Sequence, residues 1–177
     1  VYKYKTTYNI GHTIYDKNQE ELNMANEQTF IMIKPDGVQR GIVGAIFTRL
    51  ERKGLQLQAL KMIKIDRQLA ETHYGEHQGK PFYKPLVDFI ISSPVVVSVW
   101  QGENAVQIVR KLVGATRAEA AEPGTIRGDF VITTTYNVIH ASDAPKTAER
   151  EINLFFEPEE IHEYPLTIKQ WLVDDSD

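Results

Sequence analysis

The chain has 177 residues, of which 42% are apolar and 25% charged, enough sequence and enough apolar content for one domain with a proper core. It contains no cysteine, which excludes disulfides, thiolate-bound zinc, iron–sulfur clusters and thiol catalysis. Twenty basic and 24 acidic side chains give a net charge of −4, which argues against a broad nucleic-acid surface and leaves room for a local basic pocket.

Residues 1–23 hold four of the eight tyrosines and no alanine, and Met24-Ala25 then reads like a translation start. The segment 1–23 therefore reads as an added or upstream extension. Its alternative is an assembly arm, because Tyr2, Tyr4, Thr6 and Tyr8 alternate with Lys3, Lys5 and Thr7 as in a strand that pairs with a neighbouring subunit. Residues 24–177 form the domain. Thr29 to Ile33 is a short apolar run and predicts a buried strand. Gly41 to Lys53 carries Ile42, Ala45, Ile46, Arg49 and Leu50 at helical spacing and stops at Gly54. The alternation from Leu55 to Lys61 predicts a second strand. Residues 67–77 and 82–92 read as helices separated by Gly79-Lys80-Pro81. Pro94 opens a strand from Val95 to Trp100, and Asn104 to Val113 reads as a helix ended by Gly114. Phe130 to Thr135 is β-branched and predicts the fourth strand. Ser142-Asp143 then caps a helix that runs to about Phe155. The order fits an α+β class, a ferredoxin-like βαββαβ sandwich. It has a four-stranded antiparallel sheet, added helices and a long loop at about 115–128. The longest apolar stretch, Val95 to Trp100, is too short to span a bilayer, and no signal-peptide pattern or Asn-x-Ser/Thr acceptor is present, so the expected compartment is the cytoplasm.

Neither a P-loop nor a Gly-x-Gly-x-x-Gly fingerprint occurs. His73 and His77 stand four apart, a spacing that can place two imidazoles on one helix face, but Gly75 lies between them and no third ligand is evident. Three segments gather polar residues where strands end. Lys34-Pro35-Asp36-Gly37 leaves the first strand in what reads as a turn. Pro123 to Asp129 reads as a loop feeding a strand, and its Arg127-Gly128-Asp129 tripeptide is of a kind frequent by chance. Asn137 to Asp143 places His140 between a strand and a capped helix, with Glu151 on the inner part of that helix. A lone histidine is more often structural than catalytic. A histidine whose second nitrogen is held by a carboxylate can instead act as a nucleophile. Lys34, Arg110 and Arg127 could neutralise phosphate charge around it.

The segments Ile33 to Gly41, Gly124 to Phe130 and Asn137 to Asp143 closely resemble, in order and spacing, the signatures of nucleoside diphosphate kinases. The resemblance covers roughly residues 26–173. It implies a ping-pong transfer of the γ-phosphate from a nucleoside triphosphate to a different nucleoside diphosphate, with His140 as carrier. It further implies that Glu151 holds the non-reacting imidazole nitrogen, supported by Ser142. Lys34 and Tyr74 would contact the transferred phosphoryl, and Arg110, Thr116 and Arg127 the remaining phosphates. His77 would add a phosphate contact, Phe82 would stack on the base, and Asn137 with Lys34 would meet the sugar. Mg²⁺ would arrive on the nucleotide with few or no direct protein ligands. A nucleotide-binding regulatory or nucleic-acid-associated module of the same fold is the alternative that the resemblance leaves.

Three departures from the family pattern bear on the site. Ala141 stands where glycine is common, Lys80 where arginine is frequent, and Ala118 at a loop position that is often proline. Ala141 implies an ordinary backbone there, with φ below zero. The tail through Tyr164 and Trp171 resembles that of hexameric members, whose tail and 115–128 loop lie against neighbours. The implied assembly is a homohexamer, a trimer of dimers.

Overall fold

Phe30, Ile31, Met32 and Ile33 are all fully buried, because the strand they form is covered on both faces. In the computed structural model of the protein, which describes residues 27–168, 171 and 172, this strand is β1 (Glu27–Ile33). Its other strands are β2 (Gln56–Ile63), β3 (Val95–Gly102) and β4 (Ile139–Ala141). They pair antiparallel in the order β2-β3-β1-β4, the order expected of a ferredoxin-like sheet. The readings of residues 1–23 and of Met24 lie outside the described residues.

Alternation along β1 divides the core. Ile31 and Ile33 face a layer with Ile46 and Leu50 of α2 (Val43–Arg52), Val109 and Val113 of α5 (Ala105–Val113), and Trp100. Phe30 and Met32 face a second layer. It is made by Ala70 of α3 (Arg67–His73), Val87 and Ile90 of α4 (Tyr83–Ile90), and Ile152 and Phe155 of α7 (Pro145–Phe155). Helices α2 and α5 are the two crossovers of the βαββαβ core. The added pair α3 and α4, with α7, covers the face that those crossovers leave open. A short helix α1 (Pro35–Gln39) follows β1, and α6 (Ile126–Phe130) follows the long loop.

Several local expectations are corrected. Phe130 to Thr135 does not form the fourth strand; that strand is β4, one segment later, and His140 lies on it rather than beyond it. Thr125 accepts from the Gly128 N–H and starts α6, so Phe130 ends a helix. Ile132 beyond it is 94% exposed, with no layer to bury it. The segment read as a loop feeding a strand is thus partly helix, and the 115–128 loop also holds a 3₁₀ turn at Ala118–Ala120. Pro35-Asp36-Gly37 opens α1 instead of a bare turn, with Pro35 in the first turn, where its missing N–H costs nothing. Residues 67–77 are not one helix: α3 stops at His73 and a 3₁₀ turn follows at Gly75–His77. Ser142-Asp143 does not cap α7. The N-cap is Ala144 with Pro145 behind it, because the Ser142 hydroxyl is committed to Glu151 at 2.6 Å.

The tail packs in part on its own chain. The His162 N–H donates to the Gln58 carbonyl, and the Tyr164 hydroxyl to the Leu57 carbonyl. Trp171 remains 80% exposed.

Candidate active site

His140 sits opposite Met32 in the β1–β4 ladder, and Ile139 and Ala141 on either side of it face the first core layer. Period-two alternation therefore turns the imidazole to the second face, toward α7. Glu151, 1% exposed, meets it there: His140 Nε2 and Glu151 Oε1 are 2.8 Å apart. The other carboxylate oxygen accepts from Ser142 Oγ at 2.6 Å. With Nε2 engaged on the carboxylate, Nδ1 is the ring nitrogen left for chemistry.

The turn into β4 is strained and clamped. Val138 has φ of +57°, and the Ile139 N–H donates across it to the Asn137 carbonyl at 2.7 Å, the geometry of a γ-turn. A β-branched residue in that region costs about 1–3 kcal/mol unless its surroundings impose it. They do so here. Asp36 Oδ2 accepts from the Val138 N–H at 3.0 Å, and the Val138 carbonyl accepts from the Lys34 N–H at 2.9 Å. Gly37 lets α1 approach this closely, since a Cβ there would stand 2.9 Å from the Val138 carbonyl oxygen and 2.7 Å from Ile33. Arg127 completes the clamp. It is 3% exposed, and its guanidinium donates to the carbonyls of Ile139 at 2.7 Å, Gly114 at 3.0 Å and Asn137 at 3.4 Å. The Arg127-Gly128-Asp129 tripeptide is therefore not presented to a receptor. Strain falls on Val138 and not on Ala141, whose backbone is ordinary as its side chain implied.

This corner opens on a cavity of about 640 Å³. Lys34, Tyr74, His77, Phe82, Arg110, Thr116, Arg127, Asn137, His140 and Glu151 all line it. Ser142 is fully buried, bonded to Glu151. The candidate residues thus converge from seven segments of the chain. Lys34 Nζ donates to Asn137 Oδ1 at 2.8 Å, and burial, then the neighbouring Arg127 charge, lower its pKa to about 8. Asp36 offsets part of that shift. Arg127 is likewise lowered to about 10 by burial and then by Arg110, and stays cationic at neutral pH. Tyr74 is 5% exposed, and its hydroxyl is buried without a partner; burial, then the Glu151 charge, push its pKa up, so it remains a donor. At the mouth, Phe82 is 51% exposed and its ring lies 5.5 Å from that of His77. Lys80 Nζ stands 3.1 Å from His77 Nδ1.

His73 and His77 part company: His73 is buried behind His140, whereas His77 lines the cavity mouth, so they form no zinc pair. Among the described residues, the one cluster with metal-ligand spacing is His73, His140 and Glu151. Sequence reasoning missed the clamp by Asp36 and the place of His73. Asp36 sits in Pro-Asp-Gly, which reads as turn chemistry, and only the strand pairing brings it under Val138. The arrangement can hold an anionic ligand with several phosphates against three cations, and it aims one imidazole nitrogen into them.

The family model for nucleoside diphosphate kinase matches residues 27–161. The nucleoside diphosphate kinase of Archaeoglobus fulgidus is 54% identical over 149 residues, 84% of this chain and 99% of that protein. That of Carboxydothermus hydrogenoformans is 53% identical over 148 residues, again 84% and 99%. Among solved structures, the halophilic nucleoside diphosphate kinase of Halobacterium salinarum in complex with CDP superposes with a TM-score of 0.82. It is 48% identical and covers 84% of this chain and 99% of its own. A nucleoside diphosphate kinase family protein from Babesia bovis superposes at 0.80, with 44% identity and coverage of 83% and 99%. With that match over most of its length, the chain belongs to the nucleoside diphosphate kinase family, enzymes that transfer a phosphoryl group between nucleotides.

Proposed function

We propose that the reaction is ping-pong and that His140 Nδ1 carries the phosphoryl group. Nδ1 attacks the γ-phosphorus of a bound nucleoside triphosphate in line with the bond to the β–γ bridging oxygen. The N–P bond forms, the P–O bond breaks and the nucleoside diphosphate leaves. A second diphosphate enters, its terminal oxygen attacks the phosphorus, and the N–P bond breaks in turn. The observation that carries this reading is the 2.8 Å contact between His140 Nε2 and Glu151, which ties up one nitrogen and leaves the other facing a cation-lined cavity.

The remaining residues take roles by position. Glu151, held by Ser142, fixes the ring tautomer. Lys34 and the Tyr74 hydroxyl donate to the moving phosphoryl, whose charge spreads over its oxygens in the transition state. Arg110, Thr116 and Arg127 hold the other phosphates, and His77 adds a contact near the mouth. The half-exposed Phe82 ring stacks on the base, and since every base has a π-face this selects weakly among them. Asn137 and Lys34 reach the sugar. The Halobacterium relative was solved with CDP, and a cytidine nucleotide fits the same non-selective scheme.

Mg²⁺ fits as a passenger on the nucleotide. It takes oxygen ligands, and the only described cluster with metal-ligand spacing offers two imidazoles and a single carboxylate. Arriving with the nucleotide, it would neutralise phosphate charge. The work of this chain is to orient the phosphates with Arg110, Arg127 and Lys34.

The proposal extends to a hexamer, favoured by the 80%-exposed Trp171 and 94%-exposed Ile132, each a large apolar side chain that a neighbour would cover. It also places the enzyme in the cytoplasm, acting on free nucleotides; no helix among the described residues is long and apolar enough to cross a membrane. Initial rates at several fixed acceptor concentrations test the mechanism. Parallel double-reciprocal lines agree with it, and intersecting lines refute it.

A further inference from the structure

His73 is 3% exposed, yet neither of its ring nitrogens has a hydrogen-bond partner. Buried polar atoms are almost always paired, and an exception calls for a reason. The ring is wedged edge-on among aromatic neighbours, with centroids 4.4 Å from Tyr74, 4.8 Å from His140 and 5.2 Å from Phe155. Its nearest carboxylate is the one that serves His140: Nδ1 lies 3.7 Å from Glu151 Oε1.

The charged and titratable groups around it come from every side. They are Glu151 and Arg150 on α7, His140 on β4, Lys34 after β1, and Tyr74 and His77 at the end of α3 and in the turn that follows. Cations outnumber the single carboxylate. Burial first, then His140, Arg150, Lys34 and His77, lower the His73 pKa to about 2, so the ring is neutral at any working pH. The same crowd of cations disfavours a metal ion among His73, His140 and Glu151, although their ligand atoms lie within 4.8 Å of one another. A neutral imidazole has one N–H and one bare nitrogen. Only one placement of that proton does anything for the site.

We propose that His73 is a positioning residue for the His140–Glu151 pair, keeping its proton on Nδ1 and directing that N–H at the carboxylate oxygen that accepts from His140. At 3.7 Å the pair is longer than a hydrogen bond, and a shift of under about 1 Å brings it into range. Glu151 Oε1 is then shared between two imidazole donors, while Ser142 holds Oε2. Without His73, Oε1 keeps only the Arg150 guanidinium, 3.6 Å away, as a second partner, and more of its charge falls on His140. It then retains a proton on the attacking nitrogen to higher pH, and a protonated nitrogen cannot attack phosphorus. The role rests on the reading of His140 as phosphoryl carrier; the His73 tautomer itself does not.

Nitrogen NMR of the full-length free protein, with its imidazoles labelled, reads that tautomer directly. The expected result is a neutral His73 with Nδ1–H throughout the active pH range; an Nε2–H tautomer overturns the proposal. Two variants test the consequence. His73→Phe keeps a flat ring and removes the N–H, whereas His73→Asn places an amide N–H near the position of Nδ1. The acid limb of the kcat/KM profile should move to higher pH by about half a unit or more in His73→Phe and stay near wild type in His73→Asn. Identical profiles in the two variants would reduce His73 to packing and overturn the proposal. If a variant does not fold, the tautomer measurement on the wild type still decides. Wild-type protein that transfers phosphoryl without labelling His140 would sink the carrier reading and leave the tautomer result standing by itself.

Discussion

Glu151 is almost wholly buried, and His140, its partner at 2.8 Å, is the more exposed member of the pair on the cavity wall. In the proposed mechanism the carboxylate acts from behind, fixing which imidazole nitrogen meets the phosphates. Replacing it by an amide keeps the shape but lets an N–H point at Nε2, which favours the wrong tautomer. Glu151→Gln should lower kcat by about 10²-fold or more with little change in nucleotide affinity. Stopped-flow transfer rates and equilibrium binding measure the two separately. An unchanged kcat would remove Glu151 from the mechanism.

Lys34 gives the site a pH dependence on the alkaline side. Its pKa in the free protein is lowered from 10.5 to about 8, first by burial and then by Arg127. Bound phosphates favour the charged form, so between about pH 8 and 10 nucleotide binding takes up a proton, and affinity falls as pH rises through that window. Titration calorimetry in two buffers of different ionisation enthalpy should show net proton uptake near pH 8.5, a value about midway in the lower part of that range. Proton release on binding would contradict the assignment.

Arg127, proposed to hold phosphate, also supports the fold, because it donates to three carbonyls. Arg127→Ala removes a donor from each of them, leaving the Asn137 carbonyl with the Ile139 N–H, and frees the strained turn at Val138. A loss of about 2–4 kcal/mol in stability is expected together with weaker nucleotide binding. Arg127→Lys should recover part of the binding and little of the stability, since an ammonium cannot fork across three acceptors. Chemical denaturation and nucleotide titration of both variants give the comparison; full stability in Arg127→Ala would refute the clamp.

Most of this architecture was legible in the sequence, for physical reasons that differ by element. The run Phe30 to Ile33 announced a strand buried on both faces, and α2, β2, β3 and α5 carried clear periods and glycine stops. The fourth strand was misplaced because propensity and burial disagree after Phe130. Ile132 and the threonines after it favour a strand, yet the one open position beside β1 is taken by three residues around His140. The cap expected at Ser142 failed for a chemical reason, since Glu151 outcompetes the helix for that hydroxyl. The candidate site residues came from the family resemblance that three motifs in register carry, and the structure gathers them around one cavity. The support beneath them was not legible, because Asp36 under Val138 and His73 behind Glu151 are contacts between segments far apart in sequence.

Assembly is open to a direct measurement. Trp171 at 80% exposure and Ile132 at 94% are the surfaces expected to be covered by neighbours. Light scattering of the full chain at micromolar concentration should give the mass of six chains. Trp171→Ala should weaken that assembly, with the same reading showing smaller species. A tetramer would redirect the assignment to the other family arrangement, and a monomer would reject it.

The central claim is that phosphoryl pauses on His140. Incubation with γ-labelled ATP, without acceptor, followed by mapping of the label, tests it most directly. The account predicts one phosphoryl group per chain at His140, labile in acid, stable in alkali, discharged by added nucleoside diphosphate and absent from His140→Ala. A label elsewhere, or steady transfer with no label on the protein, would contradict it.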